Sequence, residues 1–192
     1  MNIGVFGGSF NPPHIGHLIL AQCALESFGL DTVLLVPTFV SPFKEGETQV
    51  SAELRSEMVA LAISDNPRLQ GEYWEAMHPG VSYTVDTLRY LQQQHPDATL
   101  HLIMGADTFR EFHLWKQPED ILAMARLCVA ERPGSSIADA THEFTHAALP
   151  FTMPLLDISS SAIRARVRAG ASIQYHVPWA VKIFIEAQGL YR

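Results

Sequence analysis

Near the N-terminus, Gly7-Gly8-Ser9-Phe10-Asn11-Pro12-Pro13-His14-Ile15-Gly16-His17 gathers a glycine turn, two prolines and two histidines. The apolar segment Ile3-Gly4-Val5-Phe6 precedes it and reads as a buried strand; residues 18–25 follow and read as a helix. A strand-to-helix junction in an open parallel sheet exposes backbone N–H groups and a helix N-terminus, which together attract phosphate. Gly7 and Gly8 carry no side chain, so the backbone there can approach an anion closely. With His14 and His17 beside the same spot, the chemistry expected is binding of a nucleoside triphosphate. Zinc at the two histidines would need two further ligands at sensible spacing, and none stands nearby. A satisfied core histidine fits His14 poorly, since prolines and glycines surround it in a turn.

A second group is Asp157-Ile158-Ser159-Ser160-Ser161-Ala162-Ile163-Arg164. Three serines at a helix start offer hydroxyls and N–H groups, and Arg164 can reach back with a planar fork of donors. This is either a second phosphate clamp or plain capping by Ser159, with Arg166 and Arg168 serving the C-terminal dipole. Lys44, in Pro42-Phe43-Lys44, either adds a point charge to the triphosphate or is a solvated loop lysine. Ser82-Tyr83-Thr84-Val85-Asp86 opens a helix; Ser82 or Thr84 can cap it, and its N–H groups suit a small carboxylate. Asp107, in Gly105-Ala106-Asp107, can accept from ribose hydroxyls or cap a helix, and Trp115 can stack on a flat ring or bury itself. His142-Glu143-Phe144-Thr145-His146 is a literal HExxH string. It lies in an aperiodic stretch that Pro150 soon interrupts, so a zinc-peptidase site is set aside.

The elements that must position these groups alternate. Strands are expected at 2–6, 32–36, 99–104, 126–130 and 151–156, with a further short one within 68–75. Helices are expected at 16–28, 52–64, 83–94, 118–125, 160–169 and 178–188. Strand, helix, strand in repeated order implies parallel strands with right-handed crossovers. The fold class is therefore α/β: a Rossmann-like three-layer α/β/α domain with a mostly parallel sheet. Ser159 is expected to cap the helix at 160 with Ile158 and Ile163 as a staple, Gly170 to end it, and Pro178 and Gly189 to bound the last helix. Residues 133–146 read as a surface excursion. One domain is expected over residues 1–192.

The composition, 47% hydrophobic and 17% charged, suits a globular protein, and no apolar run is long enough to span a bilayer. A net charge of -7 argues against a large nucleic-acid surface, though not against a local anion pocket. Cys23 and Cys128 form no CxxC pair and read as core residues in a cytoplasmic setting.

The first motif resembles that of the nucleotidylyltransferase superfamily, and Ile158-Ser159-Ser160-Ser161-Ala162-Ile163-Arg164 is similar to its second signature. Within it the chain resembles the bacterial nicotinate-nucleotide adenylyltransferases. Supporting segments are Ser82-Tyr83-Thr84 with Asp86-Thr87-Leu88, Gly105-Ala106-Asp107, Trp115, Glu131-Arg132-Pro133-Gly134 and the ending Gln188-Gly189-Leu190-Tyr191-Arg192. The resemblance implies transfer of AMP from ATP to nicotinate mononucleotide with magnesium (Mg2+), giving deamido-NAD and pyrophosphate in NAD biosynthesis. It implies that His14 and His17 touch the ATP phosphates and that Ser160, Ser161 and Arg164 hold them from the other side. His14, His17, Lys44 and Arg164 would be the catalytic set. Gly7, Gly8, Ser9, Phe10, Gly105, Arg132 and Ile158 would join the ATP site, with Asp107 at the ribose. Tyr83 and Thr84 would place the nicotinate carboxylate, Trp115 would lie near the pyridine ring, and Lys44 would serve the second substrate. No nucleic-acid or membrane partner is implied, and a homo-oligomer is left open.

Three positions depart from the pattern: Asn11 for Asp, Ser161 for Thr, and Phe43 for the His before Lys44. Rival readings remain. Another nucleotidylyltransferase could act on nicotinamide mononucleotide or a pantetheine phosphate. His14-Ile15-Gly16-His17 is also similar to a motif of class I aminoacyl-tRNA synthetases, though the chain is short for a tRNA-binding body. A non-enzymatic nucleotide sensor would bind ATP without releasing pyrophosphate.

Overall fold

The computed structural model describes residues 1–40 and 50–192. Its strands are β1 (Asn2–Gly8), β2 (Thr32–Pro37), β3 (Leu69–Gly71), β4 (Thr99–Gly105), β5 (Ala125–Glu131) and β6 (Ala148–Thr152). They form one sheet in the order β3-β2-β1-β4-β5-β6, and every pairing is parallel. The helices are α1 (Ile15–Ser27), α2 (Ala52–Ala62), α3 (Trp74–Met77), α4 (Thr84–Gln94), α5 (Ala106–Phe109), α6 (Pro118–Met124), α7 (Ser160–Arg168) and α8 (Trp179–Ala187). This is the expected Rossmann-like three-layer α/β/α architecture.

The central strands are continuous apolar runs because both sheet faces are covered. On one face, Ala21, Leu25, Met58, Ile163 and Val181 bring α1, α2, α7 and α8 onto the sheet. On the other, Val85, Leu88, Leu91, Phe109, Phe112 and Ile121 bring α4, α5 and α6. Gly4 is required by close packing, since a Cβ there would lie 2.8–2.9 Å from Ile103, Leu30 and Val33.

Strand β1 lies between β2 and β4, so the chain leaves its carboxyl end toward one face and returns through β4 toward the other. That reversal opens a crevice at the carboxyl ends of β1 and β4. The motifs around residues 7–17 and 105–107 both sit there.

Three local expectations are corrected. Strand β6 starts at Ala148 rather than 151, running through Pro150; it is an edge strand, where a missing N–H is tolerated. Neither Ser82 nor Thr84 caps α4; Tyr83 is the N-cap and makes no side-chain cap bond. The Ser82 Oγ instead accepts the Phe39 N–H at 3.0 Å, tying the start of α4 to the loop after β2. His14, third, is buried rather than turned out to solvent. Ser159 does cap α7, accepting from the Ala162 N–H at 3.2 Å, and Gly189 turns the chain after α8 at φ 62°.

Candidate active site

The turn after β1 is built by packing as much as by glycine. Phe10 adopts φ 44° while only 2% exposed, a conformation that burial must hold in place. Its ring lies where a Cβ on Gly8 would come within 3.3 Å. At Gly7 a Cβ would meet nothing within 4 Å, so this position keeps open space above the turn. The two histidines follow as a stacked pair, ring centroids 3.6 Å apart and 21° between planes. Gly16 makes that stack possible, because a Cβ there would lie 3.1 Å from His14 Nδ1. The spacing of histidine, glycine and histidine thus has a steric cause.

His17 Nδ1 accepts the backbone N–H of His14 at 3.1 Å. Its neutral ring therefore carries the proton on Nε2, which makes that atom a donor. Phe10 flanks the ring at 5.0 Å.

His14 differs. It is 7% exposed, its Nδ1 has no hydrogen-bond partner, and burial drops its pKa to about 4. The expectation that a core position fits His14 poorly is corrected: the ring is buried, and burial keeps it neutral at pH 7. In an unfolded chain it titrates near 6.5, so the folded state binds the proton more weakly. The stability this gives is fully present above pH 6.5 and is lost as pH falls through 4. The loss amounts to about 3 kcal/mol. Urea unfolding of the wild type and of His14→Asn between pH 7 and 4 checks this. The wild type is expected to lose more stability than the variant by that amount, and parallel losses would contradict it.

The second motif docks on the first. Ser160 Oγ donates to the Pro12 carbonyl at 2.8 Å, and Arg164 Nη1 donates to the Asn11 carbonyl at 2.9 Å. Arg164 Nη2 also donates to Ser161 Oγ at 3.3 Å. Tyr191, from the C-terminal end, donates its hydroxyl to Asn11 Oδ1 at 2.7 Å. Ser160 and Arg164 thus hold the turn's backbone directly, while Ser159 caps α7 and Ser161 braces Arg164. Ile158 is partly buried against the core cluster that contains Ile163.

A cavity of about 620 Å³ opens at the crevice, within the range of small-ligand sites. Gly7, Gly8, Ser9, Tyr83, Thr84, Gly105, Asp107 and Trp115 line it. His14, His17, Phe10, Arg132, Ile158, Ser160, Ser161 and Arg164 are not in its wall. Of these, the two histidines, Phe10, Ser160 and Arg164 gather around residues 9–12, adjoining the cavity through Ser9. Lys44 and Phe43 lie outside the described residues.

Asp107 is already engaged. It accepts from Ser135 Oγ at 2.7 Å and from Arg110 at 2.7 Å, and it pairs with Arg132. The Ser135 hydrogen bond first, then Arg132, hold its carboxyl below the usual range. Arg132 therefore reaches the site through Asp107.

At the other wall, the uncapped first turn of α4 leaves N–H groups for a ligand. Trp115 Nε1, Thr38 Oγ1 and Glu75 Oε2 are buried there without hydrogen-bond partners. Lys116 stands 4.2 Å over the Tyr83 ring and 3.0 Å from Asp86. Glu75 accepts from Thr87, and burial raises its carboxyl pKa. Sequence reading misses Thr38, Glu75, Arg110 and Lys116, which carry no motif of their own. It also misses Arg55 on α2, which bonds to the Ser9 carbonyl.

The HExxH string does not share a helix face: Glu143–Ala147 is a 3-10 turn. His142 Nε2 lies 2.8 Å from the Phe109 carbonyl, and His146 folds back on the Glu143 carbonyl at 2.7 Å.

The cytidylyltransferase-like family model matches residues 5–166. A Salinibacter ruber protein named probable nicotinate-nucleotide adenylyltransferase is 40% identical over 100% of this chain and 98% of its own. A Thermus thermophilus protein of the same name is 42% identical over 100% of both chains. Among solved structures, the Plasmodium falciparum nicotinic acid mononucleotide adenylyltransferase complexed with NaAD shares the fold. Its TM-score is 0.79 at 19% identity, covering 99% of this chain and 97% of that one. The chain belongs to the cytidylyltransferase-like family and, within it, to the nicotinate-nucleotide adenylyltransferases.

Proposed function

We propose that this chain transfers AMP from ATP to nicotinate mononucleotide, forming deamido-NAD and pyrophosphate in NAD synthesis. One observation carries the reading. A single cavity lies between two anion-attracting features, the Gly7–Ser9 turn with His17 beside it and the uncapped N-terminus of α4 beside Trp115. The first suits a triphosphate and the second a small carboxylate on a flat ring.

The nucleophile is a phosphate oxygen of the mononucleotide, which is mostly ionised near neutral pH because its second pKa is about 6. No general base is needed. That oxygen attacks the α-phosphorus of ATP, the bond from Pα to the bridging oxygen breaks, and pyrophosphate leaves with the electron pair. The barrier lies in bringing two anions together and spreading charge in the transition state. His17 Nε2–H, the N–H groups of the first turn and Arg164 would be the donors for that work. His14 packs and orients His17; a phosphate arriving beside it favours its protonated form and raises its pKa. Asp107, in α5 just past β4 and held by Arg110, Arg132 and Ser135, would face the ribose.

Magnesium accompanies ATP in this reading. Among the described residues no cluster of three or more His, Cys, Asp or Glu side chains could hold an ion. The ion would therefore be carried on the nucleotide's own oxygens, where it neutralises phosphate charge. A cytoplasmic setting agrees with two free cysteines, and no described helix is long and apolar enough to cross a membrane.

A substrate panel tests the assignment. Nicotinate mononucleotide, nicotinamide mononucleotide and phosphopantetheine are each mixed with ATP, and pyrophosphate release is followed. The α4 dipole and Trp115 N–H favour the acid over the amide by about tenfold or more in kcat/KM. Preference for the amide, or turnover of the pantetheine phosphate, would overturn the reading. ATP binding with no pyrophosphate from any acceptor would favour the sensor.

A further inference from the structure

Arg55, on α2, is the largest fully buried side chain in the described structure, at 1% exposure. A guanidinium that deep is expected to meet a carboxylate. Here it meets three main-chain carbonyls instead. Nη1 donates to Ser9 at 2.8 Å, Nη2 to Phe39 at 2.8 Å, and Nε to Val50 at 2.9 Å. Those carbonyls belong to the phosphate turn, the loop after β2 and the entry to α2. Among the described residues Arg55 makes no salt bridge.

Among the described residues, the titratable groups that act on it are the Tyr191 hydroxyl, packed in from the C-terminal end, and Glu53 on its own helix. Glu53 is solvent-exposed, and burial keeps Tyr191 protonated by raising its pKa. Arg164 adds a second cation to the same turn, through the Asn11 carbonyl. Carbonyl dipoles satisfy the N–H groups of Arg55, but they do not cancel its charge. A buried cation that no carboxylate among the described residues pairs with is costly unless a counter-ion arrives.

We propose that Arg55 is a positioning residue for nucleotide binding: its guanidinium fixes the Ser9, Phe39 and Val50 segments together, and the triphosphate seated on the turn is the counter-ion to its buried charge. This rests on the assignment of ATP phosphates to the Gly7–Ser9 turn. The residue contributes in two separable ways. The planar fork sets geometry, and the charge attracts the anion.

Two variants separate these. Arg55→Gln keeps amide donors and loses the charge; Arg55→Lys keeps the charge and loses the fork. Calorimetric titration of wild type and both variants with ATP alone, and with adenosine as an uncharged probe, gives the readout, with circular dichroism to confirm folding. Arg55→Gln is expected to weaken ATP about tenfold, the scale of one nearby charge, with adenosine changed less than about twofold. Arg55→Lys is expected to stay within about threefold of wild type for ATP. If the wild type binds no ATP, the nucleotide assignment itself fails. If it binds ATP and Arg55→Gln matches it, or loses ATP and adenosine in equal proportion, Arg55 is only a structural brace and the inference fails alone. Should Arg55→Gln not fold, Arg55→Lys decides: retained ATP affinity supports the charge role, and a loss of about tenfold or more contradicts it.

Discussion

Replacing His17 by alanine is expected to lower kcat by about 10²- to 10³-fold while the protein stays folded. That magnitude is what one well-placed donor contributes to a developing oxyanion. The Nδ1 of His17 is committed to the His14 N–H at 3.1 Å, so Nε2–H is the donor. In the ground state the ATP charge is spread over three phosphates, and the donor gains most when charge gathers at the α-phosphoryl group. The loss should therefore fall on kcat, with KM for ATP moving less than about threefold. The structural consequence is smaller. His17 is half-buried, and the bond it accepts at the start of α1 is worth about 1 kcal/mol. Single-turnover product formation, with circular dichroism as the folding check, measures this. A folded variant that turns over at the wild-type rate would remove His17 from the chemistry.

Arg164→Ala should lower kcat/KM for ATP by about 10- to 100-fold and also lower the melting temperature. The reason is the Asn11 bond at 2.9 Å. A hydrogen bond from a charged donor contributes about 1.5–3 kcal/mol, and here it joins helix α7 to the turn that cradles phosphate. Removing it frees the turn and deletes a cation in one step. Ser160 still donates to the Pro12 carbonyl at 2.8 Å, so the two motifs remain docked. Arg164→Lys should fall between, because an ammonium keeps the charge without the planar fork. Steady-state kinetics at varied ATP, beside thermal melts, give both readings. Unchanged ATP kinetics in Arg164→Ala would confine this arginine to structure.

Much of this site is legible in the amino-acid sequence. The glycine turn, the histidine pair and the serine-arginine helix start are local patterns, each carried by residues adjacent in the chain. The topology follows from alternation, since buried parallel strands read as apolar runs and crossover helices as amphipathic ones. What stays hidden depends on distant partners. Arg55 sits among Glu53 and Glu57 on α2 and looks like one more solvated charge. Its role comes from the Ser9 carbonyl, 46 positions earlier. The burial of His14 escapes notice because the prolines and glycines around it suggest exposure, while the His17 ring, one turn on, stacks against it. Asp107 gives no sign of its partners, since Arg132 and Ser135 reach it from the next strand's loop. The short helices α3 and α5 hold only four residues each, too few for periodicity to register.

Attack at the α-phosphorus of ATP, with pyrophosphate as the leaving group, is the step that the roles proposed for His17, Arg164 and the Gly7–Ser9 turn serve. ATP labelled at the α-phosphorus, incubated with nicotinate mononucleotide and the enzyme, tests it most directly. The label is predicted to appear in the dinucleotide, with one unlabelled pyrophosphate released for each dinucleotide formed. Label recovered as free AMP, or a γ-label passed to the mononucleotide, would mean that a different bond of ATP is broken or a different acceptor is used.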